Sequence, residues 1–134
     1  MAFSSSDQGP VDIMVEIPAS ADLSGIQYHF VRIDVSESDS EIELLATAGG
    51  QGIGICQDTP EASVLQRVRV RVQGISKLVL GGNVTRGDDI QSAADGEGTT
   101  ASTADFLLAH ALATGVDQDI IEVIVSCPGS QNNA

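Results

Sequence analysis

The alternation Arg67-Val68-Arg69-Val70-Arg71-Val72 constrains this chain more than any other feature of it. Every second residue is a valine, so in an extended strand the three valines line one face and the three arginines the other. Wound as a helix, the same residues would scatter both sets around the axis. The segment is therefore a strand with one dry face and one charged face. A second alternating run reaches Leu80, and the spacing predicts two strands hinged at Gly74. Gly81-Gly82-Asn83 and Thr85-Arg86-Gly87-Asp88 follow as turn chemistry, supplying positions where φ can be positive. No catalytic side chain stands anywhere in residues 64–91.

The same period recurs along the chain. Val11, Ile13, Val15 and Ile17 alternate with Asp12, Met14 and Glu16 up to Pro18, and residues 26–35 alternate again through Ile26, Tyr28 and Phe30. Residues 53–56 and 120–125 are short apolar runs that read as strands. Residues 41–46 fit a strand or a single helical turn. Residues 104–114 have the propensity of a helix, yet Phe106, Leu108, His110 and Leu112 also fall on alternate positions. Residues 36–40 and 93–102 are small and polar, and are expected to be loops.

Six to nine short strands with glycine corners and little helix predict an all-β chain, a small β-barrel or β-sandwich of short antiparallel strands. With 134 residues it forms one domain. Residues 1–10 are expected to be a flexible N-terminal arm, residues 11–127 the β-rich domain and residues 128–134 a polar tail. Aliphatic residues must supply the core, because Trp is absent and only Phe3, Tyr28, Phe30 and Phe106 are aromatic.

A formal net charge of −13 repels a phosphate backbone, so nucleic acid is not an expected partner. The apolar runs fall well short of the ~20 residues of a spanning helix, and the first residues lack the basic and apolar regions of a signal peptide. A protein free of membrane and made in a cytoplasm is expected. Five of the six basic residues, Arg67, Arg69, Arg71, Lys77 and Arg86, fall within twenty positions. They form a basic patch on an acidic body, or else they pair with carboxylates on neighbouring strands. Cys56 and Cys127 belong to no CxxC pair and are expected as buried free thiols.

Nucleophilic hydrolysis needs a Ser or Cys with a base and an orienting acid. His29 and His110 are the two available imidazoles, and each sits in an apolar or alternating context that suits a core or rim residue. No Gly-x-Ser-x-Gly elbow is present. Cys56, Cys127, His29 and His110 lack the short spacings of a zinc site. Asp88, Asp89, Asp95 and Glu97 are oxygen donors but do not follow EF-hand order, so a solvated acidic loop is expected. Neither an enzyme, a metal nor a cofactor is expected.

Two further segments belong together. One runs Val70-x-Val72-x-Gly74 through Leu80-x-Gly82-x-Val84-x-x-Gly87-Asp88-x-Ile90. The other is Leu108-Ala-His-Ala-Leu112, a short loop, then Asp119-Ile-Ile-Glu-Val-Ile-Val125. In this order they resemble the small capsid decoration proteins of tailed bacteriophages, also called cement or head-stabilising proteins. The resemblance spans residues 53–125 and leaves the first forty residues unmatched. In that family the Ala-Leu segment is a strand, which favours a strand over residues 104–114 here.

The resemblance implies a non-enzymatic protein that sits as a homotrimer on the outer surface of the virion capsid and clamps neighbouring copies of the major capsid protein. In that setting Phe3 is the natural apolar anchor of the arm. Arg67, Arg69 and Arg71 would dock on acidic capsid surface or pair across the trimer axis, and Arg86 is a further candidate for the capsid or trimer interface. The alternative is a carbohydrate- or surface-binding β-sandwich module. Against it stands the absence of Trp and the single Tyr, since sugar sites stack rings on exposed aromatics.

Overall fold

The computed structural model describes residues 12–20, 22–36, 40–58, 66–102 and 105–131, with the side chains of residues 128–131 excepted. Phe3, the expected arm and Val11 lie outside the described residues. Those described form nine strands and no helix: β1 (Ile13–Pro18), β2 (Phe30–Ile33), β3 (Ile42–Leu44), β4 (Gly54–Cys56), β5 (Arg67–Val79), β6 (Asp89–Ser92), β7 (Gly98–Thr100), β8 (Phe106–Ala111) and β9 (Ile120–Gln131). Every strand pair is antiparallel. They make one sheet in the order β3-β2-β4-β5-β9-β8-β6-β7, with β1 joining β5 alongside. The chain is all-β, as the alternation predicts.

The sheet curls back on itself at both ends. A parallel bridge from Leu80 to Gly98 brings β7 to the end of β5, and another from Ala19 to Ile42 brings β3 to the end of β1. The result is barrel-like, and each curl encloses its own core. The larger core holds Phe30, Ile55, Leu78, Leu80, Ile90, Leu108, Val123 and Val125. The smaller holds Leu23, Val31, Ile42, Cys56, Val68 and Val70. Burying each such aliphatic side chain is worth about 1.5–3 kcal/mol. β4 and the first half of β2 lie between the cores and are buried on both faces. Consecutive apolar residues therefore serve different interiors, Phe30 and Ile55 one, Val31 and Cys56 the other.

β5 is the shared element, and here one expectation is corrected. Gly74 is no hinge between two strands. β5 runs unbroken through all thirteen residues, with Gly74 inside it at φ +108°. Up to Gly74, one edge of β5 pairs with β1; from Gln73 onward the same edge pairs with β9. Gln73 faces both Ile13 and Ser126, so the two partner strands meet at that point and part.

Other differences have local causes. Residues 26–29 form turns rather than the start of β2, because Tyr28 takes a left-handed φ of 65° and its carbonyl accepts Val79 N–H at 3.0 Å. Residues 98–100 of the expected loop pair with β6 as β7. β8 is a strand, but a register shift between Leu107 and Ala109 buries both Leu108 and Ala109, which interrupts the alternation. β9 continues through Pro128 to Gln131, where it faces Phe106, so the expected polar tail begins inside a strand.

Candidate functional site

The arginine row is built by β5, and each arginine finds a carboxylate. Arg67 Nε lies 3.2 Å from Glu16 Oε1 on β1. Arg69 is held more firmly. Its guanidinium donates to Asp58 Oδ1 from Nε at 3.0 Å and from a terminal nitrogen at 2.8 Å, while its backbone N–H donates to Asp58 Oδ2 at 2.7 Å. Burial pushes the Asp58 carboxyl up, and the Arg69 bonds outweigh this and hold it below the ordinary range.

Arg71 differs from its neighbours. Directly opposite it on β4 is Ile55, and residues paired in this way share a face of the sheet. Arg71 is therefore drawn over the apolar side of β4 and is only 17% exposed. Its contact with Asp12 is long, at 3.6 Å, and its buried Nε has no hydrogen-bond partner. The row is thus a set of internal ion pairs rather than a free basic patch. Arg86 stands apart on the exposed turn after Val84, where its backbone N–H donates to Thr114 Oγ1 at 3.0 Å.

The sequence did not single out the second surface, on the outer side of β5, β9, β8 and β6. Cross-strand register places Ile75 opposite Ile124, Ile124 opposite His110, and His110 opposite Asp89. Opposed residues share a face, so these four side chains form one row across four strands. Ile75 is 53% exposed and Ile124 42%. Beside the row, Lys77 faces Glu122, and Leu112 and Ile120 add further exposed aliphatics. A shallow groove of about 470 Å³ runs along the row where β1 and β9 part, lined by Asp12, Gln73, Gly74, Ile75, Ile124 and Ser126. Only the period-2 pattern of β9 hinted at this face: in Ile120-Ile121-Glu122-Val123-Ile124-Val125 both sets of alternate positions are mostly apolar.

The histidines lie apart from each other in role. His110 Nδ1 is 2.7 Å from Asp89 Oδ1 on the exposed row. His29 sits at the rim of the larger core, with Nε2 3.6 Å from Glu97 Oε2. Gln118, itself at φ 72°, donates to both oxygens of Glu97 at 3.0 and 3.1 Å. Burial pushes the Glu97 carboxyl above its ordinary range; the Gln118 bonds oppose this, Asp95 adds to it and His29 works against it. The acidic residues of this region are dispersed. Asp88 accepts from Thr85 N and Thr100 Oγ1, Asp89 meets His110, and Asp95 accepts from Glu97 N. Among the described residues, no three His, Cys, Asp or Glu are gathered as ligands to one metal ion.

Both cysteines are free and buried, Cys56 in the smaller core and Cys127 in the larger. Burial alone pushes the Cys127 thiol up to about 12. Among the described aromatics, Phe30 is fully buried, and Tyr28 and Phe106 pack against the larger core. Lys77 Nζ lies 5.9 Å from the centre of the Tyr28 ring.

The fold is similar to that of the head fiber gp8.5 N base in bacteriophage phi29, with a TM-score of 0.71. The similarity covers 88% of this chain and 98% of that one, at 14% sequence identity. At that identity the likeness is one of fold. No protein-family model and no curated protein matches the sequence.

Proposed function

We propose that this protein is a structural component of a bacteriophage head, seated on the outer capsid surface, where it stabilises contacts between major capsid protein subunits as a homotrimer. The observation that carries this reading is that nearly the whole of the head-fiber base has its counterpart in this fold, in a chain whose sequence independently resembles decoration proteins. The surface is consistent with adhesion: an aliphatic row lies open on one side of the sheet, and the histidines serve as rim and surface residues. On this reading the chain performs no catalysis and needs no cofactor.

Capsid contact falls to Arg86, which is exposed, and to Arg67 and Arg69, whose half-exposed ion pairs exchange readily for acidic groups on a partner. Phe3 remains the proposed anchor of the N-terminal segment. Reversing the charge of Arg67, Arg69 and Arg86 together should abolish co-sedimentation of the purified chain with empty heads. Undiminished binding by that variant would remove these residues from the contact. The carbohydrate-binding alternative requires an exposed ring, and the described residues offer none outside the core rim.

A further inference from the structure

We propose that the outer edge of β1, at residues 13–16, takes an extended segment of a capsid subunit as a further strand, its inward side chains apolar and its outward ones basic. This deepens the function proposed above and rests on it for the source of the segment.

The first support is the direction in which the backbone of β1 points. Ala19 N–H donates to Gln66 O at 2.9 Å, and the register continues from Pro18 opposite Arg67 to Met14 opposite Arg71. Bonded and unbonded pairs alternate in an antiparallel ladder. Val15 and Ile17 are therefore bonded to β5, while Met14, Glu16 and Pro18 turn their backbone groups away from it. The opposite strand agrees. Arg69, facing Glu16, directs its N–H to Asp58 Oδ2 and its carbonyl to Gln57 N–H, both beyond the end of β4. Pro18 occupies an outward position, where a proline removes no ladder bond.

The second support is that this edge is closed at one end alone. β3 meets it at the parallel bridge from Ala19 to Ile42, where Ser20 N–H donates to Ile42 O at 2.9 Å. Among the described residues β5 is the one strand laddered with β1, so Met14 and Glu16 turn their outward groups to no strand. The Glu16 carbonyl accepts the exposed Arg67 side chain at 3.1 Å, a bond that an incoming strand can displace. β7, at the far end of the sheet, is guarded: it has three residues, and its Gly98 carbonyl accepts Gly81 N–H. Apart from Glu16, the open stretch of β1 is apolar, with Ile13 46% and Met14 38% exposed.

The chemistry of the edge selects the occupant. A row of outward N–H and C=O groups is matched by another extended backbone. Side chains on the inward face of that segment come beside Val15 and Ile17, which pack against the smaller core, so apolar residues fit there. On the outward face the arginine row is already matched by Glu16, Asp58 and Asp12. The charge of the whole chain, −13, then favours basic residues and disfavours a second copy of this acidic protein. Arg67 and Arg69 border the same edge, so strand addition is continuous with the capsid contact proposed for them.

Two measurements on the full chain test this. The first is amide exchange followed by NMR. In the free chain Val15 and Ile17 should be protected, and Met14 and Glu16 should exchange freely. A synthetic peptide of alternating valine and lysine should protect Met14 and Glu16, less so as salt rises. The second is co-sedimentation with empty heads. Met14→Pro removes one outward N–H and should weaken binding to peptide and heads at least about tenfold, whereas Met14→Ala should bind as wild type. Glu16→Pro beside Glu16→Ala repeats the comparison should Met14→Pro fold poorly. Met14 and Glu16 already protected in the free chain would mean that this chain or its own copy holds the edge, which overturns the proposal. Undiminished head binding by a folded proline variant overturns it too, as does a wild type that binds neither peptide nor heads. Peptide binding as expected in a chain that ignores heads supports the strand-accepting edge and removes the proposed function instead.

Discussion

The Asp12 carboxylate lies over Gly74, occupying the place a β-carbon at that position would take. This contact sits where β1 and β9 part along one edge of β5, and it explains why a glycine interrupts so regular a strand. Two conditions coincide there: φ is +108°, and the neighbouring chain closes over the backbone. β5 passes from one core to the other at this point.

Gly74→Ala therefore meets both penalties. The left-handed φ alone costs about 1–3 kcal/mol, and displacing Asp12 weakens its contact with Arg71 as well. Denaturant unfolding should show a loss in that range or larger. At Gly87, also at positive φ, nothing stands within 4 Å of an added β-carbon, so Gly87→Ala should lose the conformational part alone.

Arg71 and Arg69 should respond oppositely to loss of charge. Arg71→Met removes a buried nitrogen that has no partner and leaves Asp12, itself about half exposed, in water. Its stability should stay within about 1 kcal/mol of wild type, with an unchanged or raised Tm. Arg69→Met strips Asp58 of two side-chain donors and should lower the Tm below that of wild type. Parallel thermal melts of the two variants measure the contrast.

Glu97 makes a pH-dependent contribution of definite sign. Its carboxyl is raised in the folded chain, so the folded state binds that proton more tightly than the unfolded one. The ionised form costs stability at neutral pH, and the cost disappears as pH falls through the raised value. Glu97→Gln should therefore melt above wild type at pH 7, and the two curves should converge as pH approaches the ordinary glutamate value of about 4.3. A gap that widens on acidification would contradict the assignment.

The thiols should be inert while the chain is folded. Burial raises both Cys56 and Cys127, and each is closed within a core. Alkylation by iodoacetamide at pH 8 should be slow in buffer and rapid in denaturant, with two thiols modified per chain.

Much of the fold was legible because most strands obey a strict period of two. Val68 and Val70 are buried and Arg67 and Arg69 exposed, as the alternation requires. Alternation says which residues share a face, but not which strand lies opposite. That is why Arg71 departs from its row: its surroundings are set by Ile55, sixteen positions away in sequence. The run of residues 26–29 looked like a strand because its apolar spacing is correct, and the left-handed turn at Tyr28 overrides it. The isoleucine row was hidden for a related reason. Ile75, Ile124 and His110 belong to three strands, and only their register makes them one surface.

Co-sedimentation with phage heads is the deciding measurement, using empty capsids assembled from the major capsid protein encoded in the same genome. A head-stabilising protein should bind assembled capsids saturably at a fixed ratio to capsid subunits, and decorated capsids should withstand heating better. A chain that stays in the supernatant at every concentration, or that binds without protecting the capsid, would contradict it.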